Sequence, residues 1–210
     1  MYAWKLPTSL RVGSRSYKIR TDYRAVLDIL SAMNDPDIFE PGMTEDEKKI
    51  EQVMTMLQIL YIDFDSMPPP DYQEASEKAI DFIDCGIKDD GIPKPRLMDW
   101  EQDAPIIVPA VNKVCNFDVR SVRYMHWWTF FGYYMEIGEC MLATVVSIRD
   151  KKRRGKKLEK WEQEFYRNNK NIVDLKAKKT ERSEEEKEAL RQLFGLKKQS
   201  RTPDAEPSRE

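Results

Sequence analysis

His126 is the only imidazole in the chain, so a metal site or nucleophile–base pair that needs one must form around it. Its neighbours Tyr124 and Trp127 point instead to a buried, hydrogen-bonded structural histidine. Glu136 and Glu139 lie three apart, and on one helix face two carboxylates can hold a metal or share a proton. Arg120 and Arg123 are placed to neutralise them. Structural pairing is the preferred reading, because buried charges find partners. Asp63-Phe64-Asp65 has the spacing of a two-carboxylate metal motif, but it sits at a helix end before a proline run, where it reads as a chance triplet. No HxxxH, CxxC, GxGxxG or GxxxxGK[ST] occurs, so zincin, zinc-ribbon, dinucleotide-binding and P-loop chemistries lack their signatures. The expectation is a non-enzymatic protein without metal or cofactor.

One further cluster is cationic. Arg149, Lys151, Lys152, Arg153, Arg154, Lys156 and Lys157 surround a single acid, Asp150, for a net charge of +6. Such a run can neutralise phosphates. Acids return at once at Glu159, Glu162 and Glu164, and no aromatic residue interleaves. A solvated helix end, or a patch facing an acidic partner, is therefore preferred over nucleic acid. Beyond it, Leu158, Trp161, Phe165 and Tyr166 follow helical spacing on an otherwise charged segment. They are the candidate partner-binding face, with docking on the protein's own core as the competing reading.

The elements that must position these residues centre on an aromatic segment. Seven of the eleven residues from Tyr124 to Tyr134 are Tyr, Trp or Phe. A helix apolar on all sides is buried in protein or in lipid. From Trp127 to Ile148 only Glu136 and Glu139 are charged, a run about as long as the roughly 20 residues of a bilayer span. Two acids near its middle would each cost about 2.5–3.5 kcal/mol in a membrane. A core helix, and no membrane association, is expected.

With 210 residues, 34% of them charged and 40% apolar, the chain can build a real core. Cys85, Cys115 and Cys140 form no disulfide pattern, and the start MYAWKLPTSL lacks a secretory signal; both favour the cytoplasm. Charge is polarised along the chain. Residues 149–210 carry 20 Lys/Arg against 13 Asp/Glu, whereas residues 1–148 carry 15 against 24. That asymmetry suits nucleic acid, or assembly with partners or with itself.

Along the chain, Leu10 to Ile19 alternate about Gly13-Ser14 as a β-hairpin (about 6–20). Asp22 or Thr21 caps a helix that Asn34-Asp35-Pro36 stops. Thr44 and Glu47 form a capping box opening an amphipathic helix to Tyr61, and Pro68-Pro69-Pro70 makes a stiff spacer. A helix from about Asp71 to Asp84 ends at Cys85-Gly86, and a loop covers Ile87 to Leu97. A helix around Asp99 to Cys115 follows, with a kink or break at Pro109. Asp118 is expected to cap the aromatic helix. The pattern resumes beyond Gly138 to about Asp150, bends near Gly155 and continues through Tyr166. Ser183 to Glu186 is a second capping box, and the chain after Gly195 reads as disordered. The fold class expected is mainly α: a helical bundle with a small N-terminal hairpin. Residues 1–178 form one domain, and residues 179–210 a short capped helix and a charged, partly disordered tail.

Five blocks together resemble a known family: the hairpin; DWEQDAPIIVPAVNKV (Asp99 to Val114); YMHWWTFFGYYMEIGE (Tyr124 to Glu139); VVSIRDKKRRGKKLEKWEQEFYRNNK (Val145 to Lys170); and Val173-Asp174-Leu175. The chain is similar to the gene-product-fifteen-type family of tailed bacteriophages and prophages in Gram-positive hosts, over roughly residues 5 to 180. That resemblance implies a non-catalytic tail-module protein acting in the host cytoplasm and absent from the mature virion. The implied role is a tail assembly chaperone that coats the tape measure protein. A second chaperone, the tail tube protein and further copies of the chain are the other partners it suggests. The alternative is a nucleic-acid-associated or minor structural phage protein using residues 149–157.

Overall fold

The computed structural model describes residues 4–33, 35, 39, 42–88 and 95–176. Among these, two strands, β1 (Ser9–Val12) and β2 (Arg15–Lys18), precede eight α-helices. The strands pair antiparallel with Leu10 opposite Tyr17 and Val12 opposite Arg15. This leaves Gly13-Ser14 as the two-residue turn, and Gly13 takes the φ of +56° that such a turn requires. A lone hairpin is marginal, and this one is fixed by its neighbours. Val12 and Tyr17 are buried, and β1 packs on α3.

The residues after β2 tie together segments far apart in sequence. Ile19 bridges Tyr61 and Asp22 bridges His126. Arg20 donates to the carbonyls of Gln58, Ile59 and Tyr61 at 3.2, 2.7 and 3.3 Å. A cation thus satisfies the orphan acceptors at the C-terminus of α2 (Glu45–Leu60). Asp22 accepts from the backbone N–H of Arg24 and from that of Met125, both at 3.0 Å. It therefore heads α1 (Tyr23–Met33) and holds the far segment against it. At the other end of α2, the Thr44–Glu47 capping box is present in both directions.

Pro69–Asp71 form a 3₁₀ turn that leads directly into α3 (Tyr72–Ile83), so the prolines open the helix rather than space it. Cys85 and Gly86 both have positive φ, and the Gly86 N–H returns to the Asp81 carbonyl at 2.8 Å. Helix α4 (Ala104–Cys115) is shorter than expected. Asp99 to Asp103 form a turn in which the Asp99 carboxylate accepts from the N–H groups of Glu101 and Gln102. No break occurs at Pro109, and the helix runs through it. The carbonyl it leaves unpaired belongs to Pro105, in the first turn, and burial of Ile106, Ile107, Ala110 and Val111 holds the rod together.

The aromatic segment departs most from expectation. Asp118 caps only a 3₁₀ turn, Val119–Ser121. Helix α5 (Trp127–Met135) is capped by His126, whose Nδ1 accepts from the Trp128 N–H at 3.1 Å. The helix is also not buried all round: Trp127 and Phe130 are, while Gly132 and Met135 are exposed. Its inner rings stack in a continuous set, with Phe130 on Tyr23 at 4.5 Å and Trp127 tilted on Phe131 at 5.3 Å. Residues 136–140 then break the long apolar run, and α6 (Met141–Arg153) begins anew. Among the described residues, no helix is long and apolar enough to cross a membrane.

At Gly155, φ of +63° turns the chain into α7 (Lys160–Asn168) and the single turn α8 (Lys170–Val173). Helix α1 packs on α2 and α5, α4 on α5 and α6, and α6 on α8. One apolar cluster runs from Val12 to Val173. Asn34, Pro36, most of the Ile87–Leu97 loop, the Ser183 capping box and the tail lie outside the described residues.

Candidate partner-binding surface

Arg149 heads the cationic run in sequence, yet it is withdrawn from the surface, with a side chain only 5% exposed. Its Nη1 and Nη2 grip the Asp103 carboxylate at 2.6 and 2.8 Å. The other N–H groups donate to the carbonyls of Val173 (2.7 Å), Leu97 (2.9 Å) and Ile172 (2.7 Å). These bonds use all five guanidinium donors. Arg149 is therefore a clasp between α6, the start of α4 and α8, not part of a surface patch.

The rest of the run is largely neutralised. Lys151 meets Glu162 at 2.6 Å, and Lys152 meets Asp174 at 2.6 Å while lying 3.7 Å over the Tyr166 ring. Arg153 and Arg154 share the one carboxylate of Asp150, and the hydrogen bond from Arg153 leads in holding that carboxyl below its usual range. Lys156 and Lys157 are exposed, and the described residues offer them no ion pair.

Glu162 has a side chain only 2% exposed. It also accepts from the Glu159 N–H at 2.8 Å, closing a capping box for α7. The Lys151 hydrogen bond, then the Glu159 N–H, hold its carboxyl below the usual range. Because the folded form is the more acidic, this stabilisation is fully present above the unfolded value of about 4.3 and is lost as pH falls through the lower folded value. Urea unfolding from about pH 7 down to about pH 3 is thus expected to show a decline that Glu162→Gln flattens. An unchanged pH slope in that variant would refute the assignment.

The apolar stripe divides. Leu158, Phe165 and Tyr166 pack against the protein's own core, and the Tyr166 hydroxyl donates to Asp174 at 2.9 Å. Trp161 alone faces outward, 54% exposed, its Nε1 donating to Glu159.

A second apolar surface had no signature in the sequence spacing. Trp4 is 97% exposed, Leu6 46% and Ile87 58%. Leu6 adjoins Pro7, whose carbonyl meets Nε2 of His126 at 2.9 Å. With Nδ1 accepting, that Nε2 carries the proton and donates. Ile87 adjoins Gly86, where a Cβ would lie 3.9 Å from the Trp128 ring. Trp128 in turn stacks on Phe82. Leu6 and Ile87 thus adjoin, along the chain, residues that touch the aromatic seam of α3 and α5, and Trp4 stands in solvent two residues before Leu6.

The expected acid pair does not form on a helix. Glu136 and Glu139 are exposed in the α5–α6 connection, and Arg120 pairs with Asp118 instead. Asp63 precedes, and Asp65 lies within, the 3₁₀ turn Phe64–Ser66, and both are exposed. Among the described residues, no group of three or more His, Cys, Asp or Glu could hold a metal ion.

A mainly helical chain with an N-terminal hairpin and a buried C-terminal clasp is the class defined by this arrangement. Residues 4–175 match the family model described as bacteriophage Gp15 protein. That span is well over half of the chain, and the protein belongs to this bacteriophage family. The match ends beside Asp174, where the clasp ends. No curated protein and no solved structure matches the chain.

Proposed function

We propose that this protein is a non-catalytic tail assembly chaperone that holds the phage tape measure protein in the host cytoplasm and leaves before the virion is complete. A second chaperone and the tail tube protein would be its further partners. The observation that carries the reading is the apolar surface around the α3–α5 seam. Ile87 and Leu6 are exposed next to Gly86 and Pro7, which meet Trp128 and His126, and Trp4 stands in solvent two residues before Leu6. An extended helical client presents apolar residues at helical spacing, and a groove-edge surface of this kind receives them. Aromatic anchors dominate such contacts. The stripe first singled out on α7 supplies only Trp161 to solvent, which makes it the smaller candidate face.

The test is co-expression with the tape measure protein from the same phage, followed by affinity capture. A soluble complex is expected only when both are present. Trp4→Ala with Ile87→Ala removes exposed groups and should leave folding intact, while weakening capture by about tenfold or more, the effect of losing one anchor worth about 1.4 kcal/mol. Capture at wild-type strength would move the client site elsewhere. An insoluble tape measure protein in both cases would sink the chaperone reading.

A further inference from the structure

Two faces of opposite character lie on elements that, among the described residues, make no substantial contact with each other. The first is the outer side of α3. Ala75, Ala79 and Phe82 are buried, so helical spacing directs Gln73, Glu77, Ile80, Asp81 and Asp84 outward. Ile80 is 49% exposed, with Glu77 a turn before it and Asp84 a turn after. Within the helix, Lys78 is the single cation. The second face is the corner between α6 and α7. Lys156, Lys157 and Lys160 are exposed there, with no ion pair among the described residues. Two arginines share the one Asp150 carboxylate beside them. Trp161, 54% exposed, lies within a turn of Lys157 and Lys160.

Each face therefore has one large apolar side chain in a setting of one predominant charge, and the net signs are opposite. Acids lie around Ile80, with Lys78 the single cation. Lys156, Lys157 and Lys160 lie near Trp161, where Glu159, which accepts the Trp161 Nε1 hydrogen, and Glu164 are the exposed exceptions. Helix α3 packs on α2 and β1, whereas α6 and α7 pack on α4 and α8. Among the described residues, α3 makes no substantial contact with α6 or α7. We propose that copies of this chain associate head to tail, with Trp161 and its lysines seated on Ile80 and the acidic face of the next copy's α3.

An aromatic anchor inside a charged rim is the usual anatomy of a specific interface. Opposed potentials fix orientation and speed encounter. Because the two patches differ, the contact is heterologous, and it propagates into a ring or an open filament rather than stopping at a two-fold dimer. The polarised charge along the chain becomes a device for polymerisation. This inference stands apart from the tape measure reading, since the protein alone is expected to assemble.

Sedimentation velocity of the full chain by itself tests it. At about 0.1 M salt the mass should exceed the monomer and grow with concentration. At about 1 M salt, where the Debye length falls from about 10 Å to about 3 Å, it should drop toward the monomer. Glu77→Lys with Asp81→Lys, and separately Lys157→Glu with Lys160→Glu, should each give a folded monomer. Combining all four substitutions should restore assembly, because the charges are exchanged and the fit is kept. Ile80→Ser and Trp161→Ala should each weaken the wild-type association. A monomer at low salt across a wide concentration range would overturn the proposal. So would reversal variants of unchanged mass, or a folded four-substitution variant that stays monomeric.

Discussion

Replacing Arg149 by methionine is expected to destabilise the protein by about 3–5 kcal/mol, the cost of leaving a buried carboxylate without its partner. Asp103 is 1% exposed and already receives the Asp99 N–H at 2.9 Å. With the guanidinium gone, its charge would face an apolar interior with one donor in place of three. Three carbonyls, those of Leu97, Ile172 and Val173, would also lose their donor. Total stability of a domain is about 5–15 kcal/mol, so much of the native population would be at risk. Arg149→Met with Asp103→Leu should recover part of the loss, since an apolar pair of similar size removes the unpaired charge. Recovery should be incomplete because the three carbonyls stay unmet. Urea midpoints for the two variants measure both effects. A single variant within about 1 kcal/mol of wild type would show that Arg149 is dispensable.

Trp127→Ala should cost about 3–5 kcal/mol, as large-to-small changes in packed cores do. Trp127 is 1% exposed, stacks with Phe130, meets Trp100 edge-on, and donates its Nε1 hydrogen to the Ile83 carbonyl at 2.8 Å. Trp127→Phe keeps most of the ring contacts and should cost less. Trp161→Ala, from the same residue type at an exposed position, should fall within about 0.5 kcal/mol of wild type. Thermal and denaturant unfolding of the three variants give the ranking. Equal losses at 127 and 161 would contradict the burial described.

Short-range signals in the sequence located most of the fold. The Gly13-Ser14 turn, the Thr44–Glu47 box and the Cys85-Gly86 stop are chemistry within four residues, and each is where its residues placed it. What escaped is long-range. Nothing local says that Arg149 will reach Asp103, 46 positions away, so it read as one more surface cation. His126 is an uncommon cap, and Asp118, a common one, drew the assignment away from it. The interruption that the sequence placed at Gly138 is present as the connection of residues 136–140 between α5 and α6. For the partner surface, the spacing found the α7 stripe but not its outcome. Leu158, Phe165 and Tyr166 were claimed by the protein's own core, and the exposed set at Trp4, Leu6 and Ile87 has no period to detect.

The bridges from Ile19 to Tyr61 and from Asp22 to His126 carry a consequence for synthesis. The Asp22 carboxylate waits for the backbone N–H of Met125, 103 residues later. At roughly 5–20 residues per second on the ribosome, that is about 5–20 s in which the N-terminal hairpin and α1 exist without the segment that closes them. The clasp at Arg149 needs Val173, so the last hydrogen bonds form only when the matched span has almost entirely emerged. During that interval the apolar faces of α1, α2 and α3 stand open. A protein proposed to shield an aggregation-prone client thus passes, while it is being made, through the same hazard itself.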